Sequence, residues 1–390
     1  MRFPEFHGEW CVSTIGEQFD LYSGNTPSRL NKEHFEGNVN WITSGELKEH
    51  YISDTKEKIS EDAATANNLK LLHPGTFVIA IYGLEADGVR GTGSITCKES
   101  TISQACMAFT QKGDVKNEFL YSWYKKHGNI IGIKYAQGTK QQNLSYDILE
   151  KFHIAYPSQD EQDKLIKFIS LLDERIASQS KLIEDLKKLK SAIIVEHYRQ
   201  TEKNEVCVAD LGNHFNVGNL AKDDLSETGK PCIIYGELFT TYGEIISQIE
   251  SHTNKTEGMI LSKKGDLLFP SSTTVDAVSL IAPSVINVDN VILGGDMFGI
   301  HINHNYNTQY LSYYFNHIAK KQLAKFAKGS TIIHLHYTDI EKAKLLLPSL
   351  EEQNRMAKCL VALDKKVSVE QNLLSSLTCQ KSYLLQQMFI

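Results

Sequence analysis

Two stretches of the chain concentrate side chains suited to a polyanion. Residues 121–143, YSWYKKHGNIIGIKYAQGTKQQN, place Lys125, Lys126, Lys134 and Lys140 among Tyr and Trp, and close on a glycine turn with Thr139, Gln141, Gln142 and Asn143. Residues 320–331 repeat the plan, with Lys320, Lys321, Lys325 and Lys328 followed by Gly329, Ser330 and Thr331. Ammonium groups along a helix can meet phosphate oxygens, while hydroxyl and amide side chains at a turn can bond base edges. Gln and Asn in particular can pair with adenine. Alone, either stretch reads as a solvated helix face ending in a turn. Its occurrence twice favours a function.

Other loops have related chemistry. SGNTPSR (23–29) forms a turn around Gly24 and Pro27 and offers Asn25, Thr26 and Arg29. The loop 82–94, YGLEADGVRGTGS, offers Arg90, and at the corresponding place 269–276 offers Ser272, Thr273 and Thr274. Long polar loops on a rigid domain often bind a partner.

Signals for catalysis are missing. No Asn/Asp-Pro-Pro-Tyr/Phe run of the amino-methyltransferase kind occurs, since no two of the eight prolines are adjacent. There is no phosphate-binding GxxxxGK[ST] loop, and Gly91-Thr92-Gly93 lacks the spacing of a dinucleotide fingerprint. Asp160, Glu161 and Asp163 read as first-turn acids favoured by a helix dipole rather than as a nuclease site. His334 and His336 share one side of a strand, but no third ligand is signalled, so no metal site is expected. The expectation is a chain with no catalytic residues and no cofactor or metal of its own.

Composition fits an ordinary globular protein, with 41% apolar and 23% charged residues among 390. No apolar run approaches a bilayer span of ~20 residues, and MRFPEFHGEW has no signal-peptide pattern. Seven cysteines without CxxC spacing fit reduced thiols in a cytoplasm. The net charge of −6 argues against a nucleic-acid partner only on average; clustering of the basic residues on one surface is what matters.

The elements that must position these residues come from a repeat. PSQDEQ (157–162) and PSLEEQ (348–353) lie 191 positions apart, and each starts a long apolar periodicity. At the same offset Lys134, Ala136, Gly138, Leu144 and Tyr146 match Lys325, Ala327, Gly329, Leu335 and Tyr337, and Leu172-Asp173 matches Leu363-Asp364. Such self-similarity marks one structural unit used twice. Apolar residues at three- and four-residue steps, from Leu165 to Ile193 and from Met356 to Leu384, predict two helices of ~40 residues, each ~60 Å long. Ser158 with Glu161, and Ser349 with Glu352, predict capping boxes at their starts. The rest of each half reads as mixed α+β. FVIAIY (77–82), DLLFP (266–270) and SLIAPSVINV (279–288) are β-like, and helix-like segments lie near 117–127 and 307–328. The predicted boundaries are 1–157 and 201–347 for the globular parts, and 158–200 and 348–390 for the helices. Packing the two helices antiparallel on each other is the favoured arrangement.

The pattern as a whole resembles the specificity subunits of type I restriction–modification systems. It is carried by Trp10, Val12, Ile15 and Gly16, the GxTP turn of Gly24, Thr26 and Pro27, the run Trp41 to Leu47, and the twice-occurring P-x-x-x-E-Q before a long helix. The resemblance implies an α+β fold in which two pseudo-repeated target recognition domains are joined by an antiparallel coiled coil of two long helices. Each domain would read half of a bipartite site in double-stranded DNA. The helices would set the spacer and dock two modification subunits that carry S-adenosylmethionine and methylate adenine at N6. Restriction subunits, with ATP and Mg, are an optional further partner. No membrane partner is implied. The second half departs from the pattern: VGNLAKDD (217–224) replaces the GxTP turn, and Cys232-Ile233-Ile234-Tyr235 stands where the first half has Trp41. The acidic run 223–227 argues against a DNA contact there, which leaves 269–276 and 320–336. A self-contained enzyme with degenerate motifs and a coiled-coil adaptor that binds only proteins are the rival readings.

Overall fold

The computed structural model describes residues 1–85, 88–138 and 142–389. The chain forms two compact units. One comprises residues 1–180 and 372–390, the other residues 181–371. Two long helices run over Gln159–Gln200 and Leu350–Met388. The packing cuts across both of them. Each unit holds one globular part together with half of each long helix.

The two units share one plan. In the first, a five-stranded sheet runs in the order Phe19–Ser23, Cys106–Gln111, Phe77–Ala80, Gly93–Thr96, Tyr51–Ile52. In the second, the order is Gly212–Asn216, Met297–Ile302, Asp266–Pro270, Ser284–Ile286, Ile245–Ile246. In both, only the last strand joins in parallel. A second sheet, three-stranded in the first unit and five-stranded in the second, carries Trp41 and Cys232 respectively. A two-stranded ribbon closes each unit: Cys11 opposes Tyr156, and Asn204 opposes Leu347. Two local expectations change. Residues 277–280 of SLIAPSVINV form a helical turn capped by Asp276, so only Ser284–Ile286 is strand. The helix expected near 117–127 runs on to Tyr135. Gly128 lets the loop at Gly91 approach, since a Cβ there would lie 2.9 Å from the Gly91 Cα. The corresponding helical run, Thr308–Phe326, includes a π turn at Phe315–Ala319.

Within each unit the helix halves run antiparallel. In the first unit, Leu165 and Ile169 of one helix share a core with Met388 and Phe389 of the other, and further along Asp173 meets Lys381. In the second unit, Lys190 meets Asp364 at 2.7 Å, and His197 meets Glu352 at 2.8 Å. As the residue number rises on one helix, it falls on the other.

The helix starts are tied down differently from a capping box. Ser349 does accept from the Glu352 amide at 3.3 Å, but the carboxylates are used elsewhere. Glu161, with 1% of its side chain exposed, takes the Arg2 guanidinium, and Glu352 takes His197 and Arg355. The glutamine of the motif is the clamp. Gln162 accepts from the Lys116 amide and donates to the carbonyls of Asp114 and Pro157, all within 3.1 Å. Gln353 repeats this, accepting from the Asn307 amide and donating to the Pro348 carbonyl, both at 2.9 Å. Each glutamine joins the first turn of a long helix to the start of the globular part's own helix. A buried donor or acceptor left unpaired costs about 1–3 kcal/mol. Gln162→Leu and Gln353→Leu are therefore each expected to lower the stability of their own unit by about 3 kcal/mol in urea unfolding, with the other unit unchanged.

Candidate nucleic-acid interface

In each unit a backbone bridge spans the glycine turn that follows the helix. Gln137 bridges Asn143 in the first, and Lys328 bridges His334 in the second. Gly138 and Gly329 hold φ of 115° and 116°, a region that favours glycine. Each turn docks on the segment leaving a central strand. Leu144 donates to the Ile81 carbonyl and Leu335 to the Ser271 carbonyl, both at 2.9 Å. In the second unit the two segments also pair as strands, Ser272–Thr273 against Ile333–His334. The two stretches left available by the departures of the second half thus form one surface. They enclose an open groove of about 500 Å³ lined by Ser271, Asp296, Lys328, Gly329, His334, His336 and Asp339.

The basic residues divide into two groups. Lys134, Lys321, Lys325 and Lys328 are exposed, as are Ser330, Thr331 and Thr274. Lys328 also pairs with Asp339. Lys125 and Lys126 instead face the helical frame. Lys126 donates to the Gln386 and Phe389 carbonyls and so caps the end of the second long helix. Lys125 lies over the Tyr121 ring, and burial together with nearby Lys381 lowers its pKa. Spacing alone could not separate these two from the others, because the helix end that covers them lies some 260 residues away in sequence.

Other expected contacts are partly committed. Arg29 makes two 2.8 Å bonds to Glu57 and stacks near Phe35 and Trp41. Beside it Asn25 is exposed, and its Oδ1 accepts from the Thr26 amide at 2.8 Å while its carbonyl accepts from the Trp41 indole. Arg90 packs over Gly132 and donates to the Leu84 carbonyl, so it braces its loop. Gln142 uses its backbone on Glu85 and Leu84. Ser272 is buried and donates to Asp296, and Thr273 accepts from the Val275 amide. Thr139, Lys140 and Gln141 lie outside the described residues. Among the described residues no group of three or more His, Cys, Asp or Glu is placed to hold a metal ion.

Sequence reasoning did not single out the networks that hold each globular part to the helices. Asp173 and Asp364 are repeat equivalents, and so are Lys190 and Lys381. The first unit pairs an Asp of the first helix with a Lys of the second, and the second unit exchanges the helices. The residue before the edge strand completes each network. In the first unit this is His50, stacked between Tyr51 and Tyr121, 2.9 Å from Glu118 and 3.5 Å from Asp173. In the second it is Glu244, 3.0 Å from Lys190 and 2.9 Å from His317. The 191-residue offset was the available signal, since it places an Asp and a Lys at matching positions on both helices.

Comparison with known proteins agrees with this duplicated plan. The family model of the type I restriction modification DNA specificity domain matches the chain twice, over residues 7–188 and 201–378. The chain belongs to this family. The type I restriction enzyme MjaVIII specificity subunit of Methanocaldococcus jannaschii is 22% identical over 402 residues, covering 95% of this chain and 90% of that one. The MjaIX specificity subunit of the same organism is 28% identical over 185 residues, covering 46% of this chain and 42% of that one. The chain thus spans less than half the length of the MjaIX relative. Among solved structures, the S subunit of a type I restriction-modification system from M. genitalium aligns with a TM-score of 0.58 at 18% identity, over 100% of this chain and 99% of that one. A chain from a structure described as showing complex assembly and conformational transition of the type I R-M system gives 0.62 at 14% identity, over 98% of each. At these identities the likeness shows the fold, which is α+β with two repeated globular parts and two long helices.

Proposed function

We propose that this chain is the DNA-reading subunit of a type I restriction–modification complex, and that each globular part reads one half of a bipartite duplex target. The observation that carries this reading is the backbone bridge beside Gly138 and Gly329, built at matching positions in both units with the same glycine φ and with different residues following each glycine. The exposed lysines Lys134, Lys321, Lys325 and Lys328 supply phosphate contacts, and Asn25, Thr26, Arg29, Gln142, Thr274, Ser330 and Thr331 lie where loops meet DNA. The long helices set the gap and dock two modification subunits. Those partners carry S-adenosylmethionine, and restriction subunits, where present, bring ATP and Mg. Methyl transfer belongs to the partners. With a net charge of −6, the chain is expected to bind DNA in a salt-sensitive way, and more tightly with its modification subunit.

Genome-wide mapping of N6-methyladenine with and without this chain tests the proposal. A two-part motif that appears only with the chain supports it, and an unchanged methylome refutes it. Removing one heptad from both long helices shortens them by ~10 Å, or about three base pairs at 3.4 Å each. The expected outcome is a gap about three base pairs shorter with both half-sites intact. An unchanged gap would rule out the spacing role.

A further inference from the structure

We infer that Asp296 is a base-reading residue, which accepts a hydrogen bond from the exocyclic amine of a cytosine or adenine in the groove of the second globular part. This rests on the DNA-reading role proposed above. Asp296 lies on the groove beside Ser271, Lys328, His334 and His336. Its side chain is exposed, yet its position is fixed from three sides. Its backbone carbonyl accepts from the Ser271 amide at 2.7 Å, one carboxylate oxygen accepts from the buried Ser272 hydroxyl at 2.8 Å, and it follows Gly295, which has φ of 87°.

A carboxylate facing a polyanion is repelled by phosphate, so its place in this groove needs a compensating donor. The other groove carboxylate has one inside the protein. Asp339 is paired with Lys328 and also accepts from the His336 amide. Asp296 has no cation among the described residues within ion-pair distance, and its second oxygen is left for a ligand. Base edges offer such donors at N4 of cytosine and N6 of adenine, whereas O6 of guanine and O4 of thymine present acceptors that a carboxylate rejects. Asp296 would therefore select by attraction and by repulsion at the same position.

The repeat shows which part of this arrangement is shared. Ser271 donates to the carbonyl of Asp296 at 2.7 Å, and in the first unit Ile81 donates to the carbonyl of Ala105 at 2.9 Å. Both acceptors immediately precede the neighbouring strand, at Met297 and Cys106. One backbone site therefore presents a carboxylate in one globular part and a methyl group in the other. A fixed backbone with a changing side chain suits a position that sets specificity.

The test uses the full complex with its modification subunit. After the wild-type motif is mapped, Asp296→Asn is mapped in the same way. The expected result is relaxation at one cytosine or adenine of one half-site, by about tenfold or more in discrimination, with the other half-site unchanged. A motif identical to wild type overturns the assignment and leaves the DNA-reading role standing. Absence of any two-part motif with the wild-type chain overturns both. A second measurement begins with the wild-type complex, whose result alone can overturn the assignment. Wild-type complex is titrated with duplexes in which each adenine or cytosine of the half-site is replaced in turn by its analogue lacking the exocyclic amine. Loss of binding by about tenfold at a single position, removed by Asp296→Asn, supports the assignment. Uniform binding across the series sinks it.

Discussion

Replacing Lys190 with methionine is expected to destabilise the second unit by about 3–5 kcal/mol, the range for stripping one partner from a buried ionic group. The Lys190 ammonium sits between Glu244, at 3.0 Å from both carboxylate oxygens, and Asp364 at 2.7 Å. Tyr313 donates to the same Asp364, and Ser191 joins through His317 at 3.1 Å. Removing the cation leaves two half-buried carboxylates facing each other. Hydrogen exchange read by mass spectrometry should show the loss of protection in residues 181–371 and little change in the first unit. Uniform loss across the chain would contradict the division into two independently held units. The pH dependence gives a second readout. Burial works against an ionised Glu244, but His317 and Lys190 outweigh it and bring its pKa from 4.5 down to about 2. A carboxyl group depressed in the folded state stabilises fully above its unfolded value and loses that contribution as pH falls through the folded one. The second unit should therefore lose about 3 kcal/mol between about pH 4.5 and pH 2, and Lys190→Met should remove most of that slope. The first unit behaves oppositely at its matching position. Burial disfavours a charged His50, but Asp173 and Glu118 raise its pKa above 6.5. Its contribution is complete below 6.5 and is lost as pH rises through the raised value.

Changing Gly329 to alanine is expected to weaken reading by the second globular part by about tenfold or more while barely altering overall stability. The residue holds φ of 116°, and a Cβ there would lie 2.0 Å from the Ile332 carbonyl oxygen. Contact that close with backbone cannot be relieved by a side-chain rotation, so the turn must move. A strained residue of this kind costs about 1–3 kcal/mol, and here the cost falls on an exposed turn rather than on the core. Lys328, Ser330 and Thr331 would all leave their positions. Methylation by the assembled complex at target sites should fall by about tenfold or more, as expected when contacts worth 1–3 kcal/mol are lost, with the melting temperature within a few degrees of wild type. Full activity in the variant would remove the turn from the interface.

The parts of this molecule that were legible in the sequence are those governed by local periodicity. Leu165 to Ile193 and Met356 to Leu384 gave the helices because an amphipathic stripe repeats every three to four residues wherever it packs. DLLFP is the strand Asp266–Pro270 as read. The matched offsets gave the duplicated fold. What periodicity does not carry is the identity of a distant neighbour. In the two EQ motifs the sequence signals the glutamates and not the glutamines, because capping boxes are local and the clamps to Lys116 and Asn307 bridge about 46 residues. Lys125 and Lys126 look the same in sequence as Lys134, and only the last turns of the second long helix distinguish them. At the candidate interface the glycine turns were visible from composition. The docking of 269–276 on 328–336 was not visible, since it depends on short strands pairing across the chain.

The way each unit borrows from both long helices bears on how the protein comes off the ribosome. The first globular part is made before the second, yet Phe119, Leu165 and Ile169 share their core with Met388 and Phe389. Those last partners emerge only after the second unit has been made. While the second unit is being made, the nascent first unit displays an apolar seam that its last helical turns have yet to cover, the kind of surface on which chaperones act and premature association begins. The second unit draws all of its pieces from one uninterrupted span, 181–371, so it can close before the first.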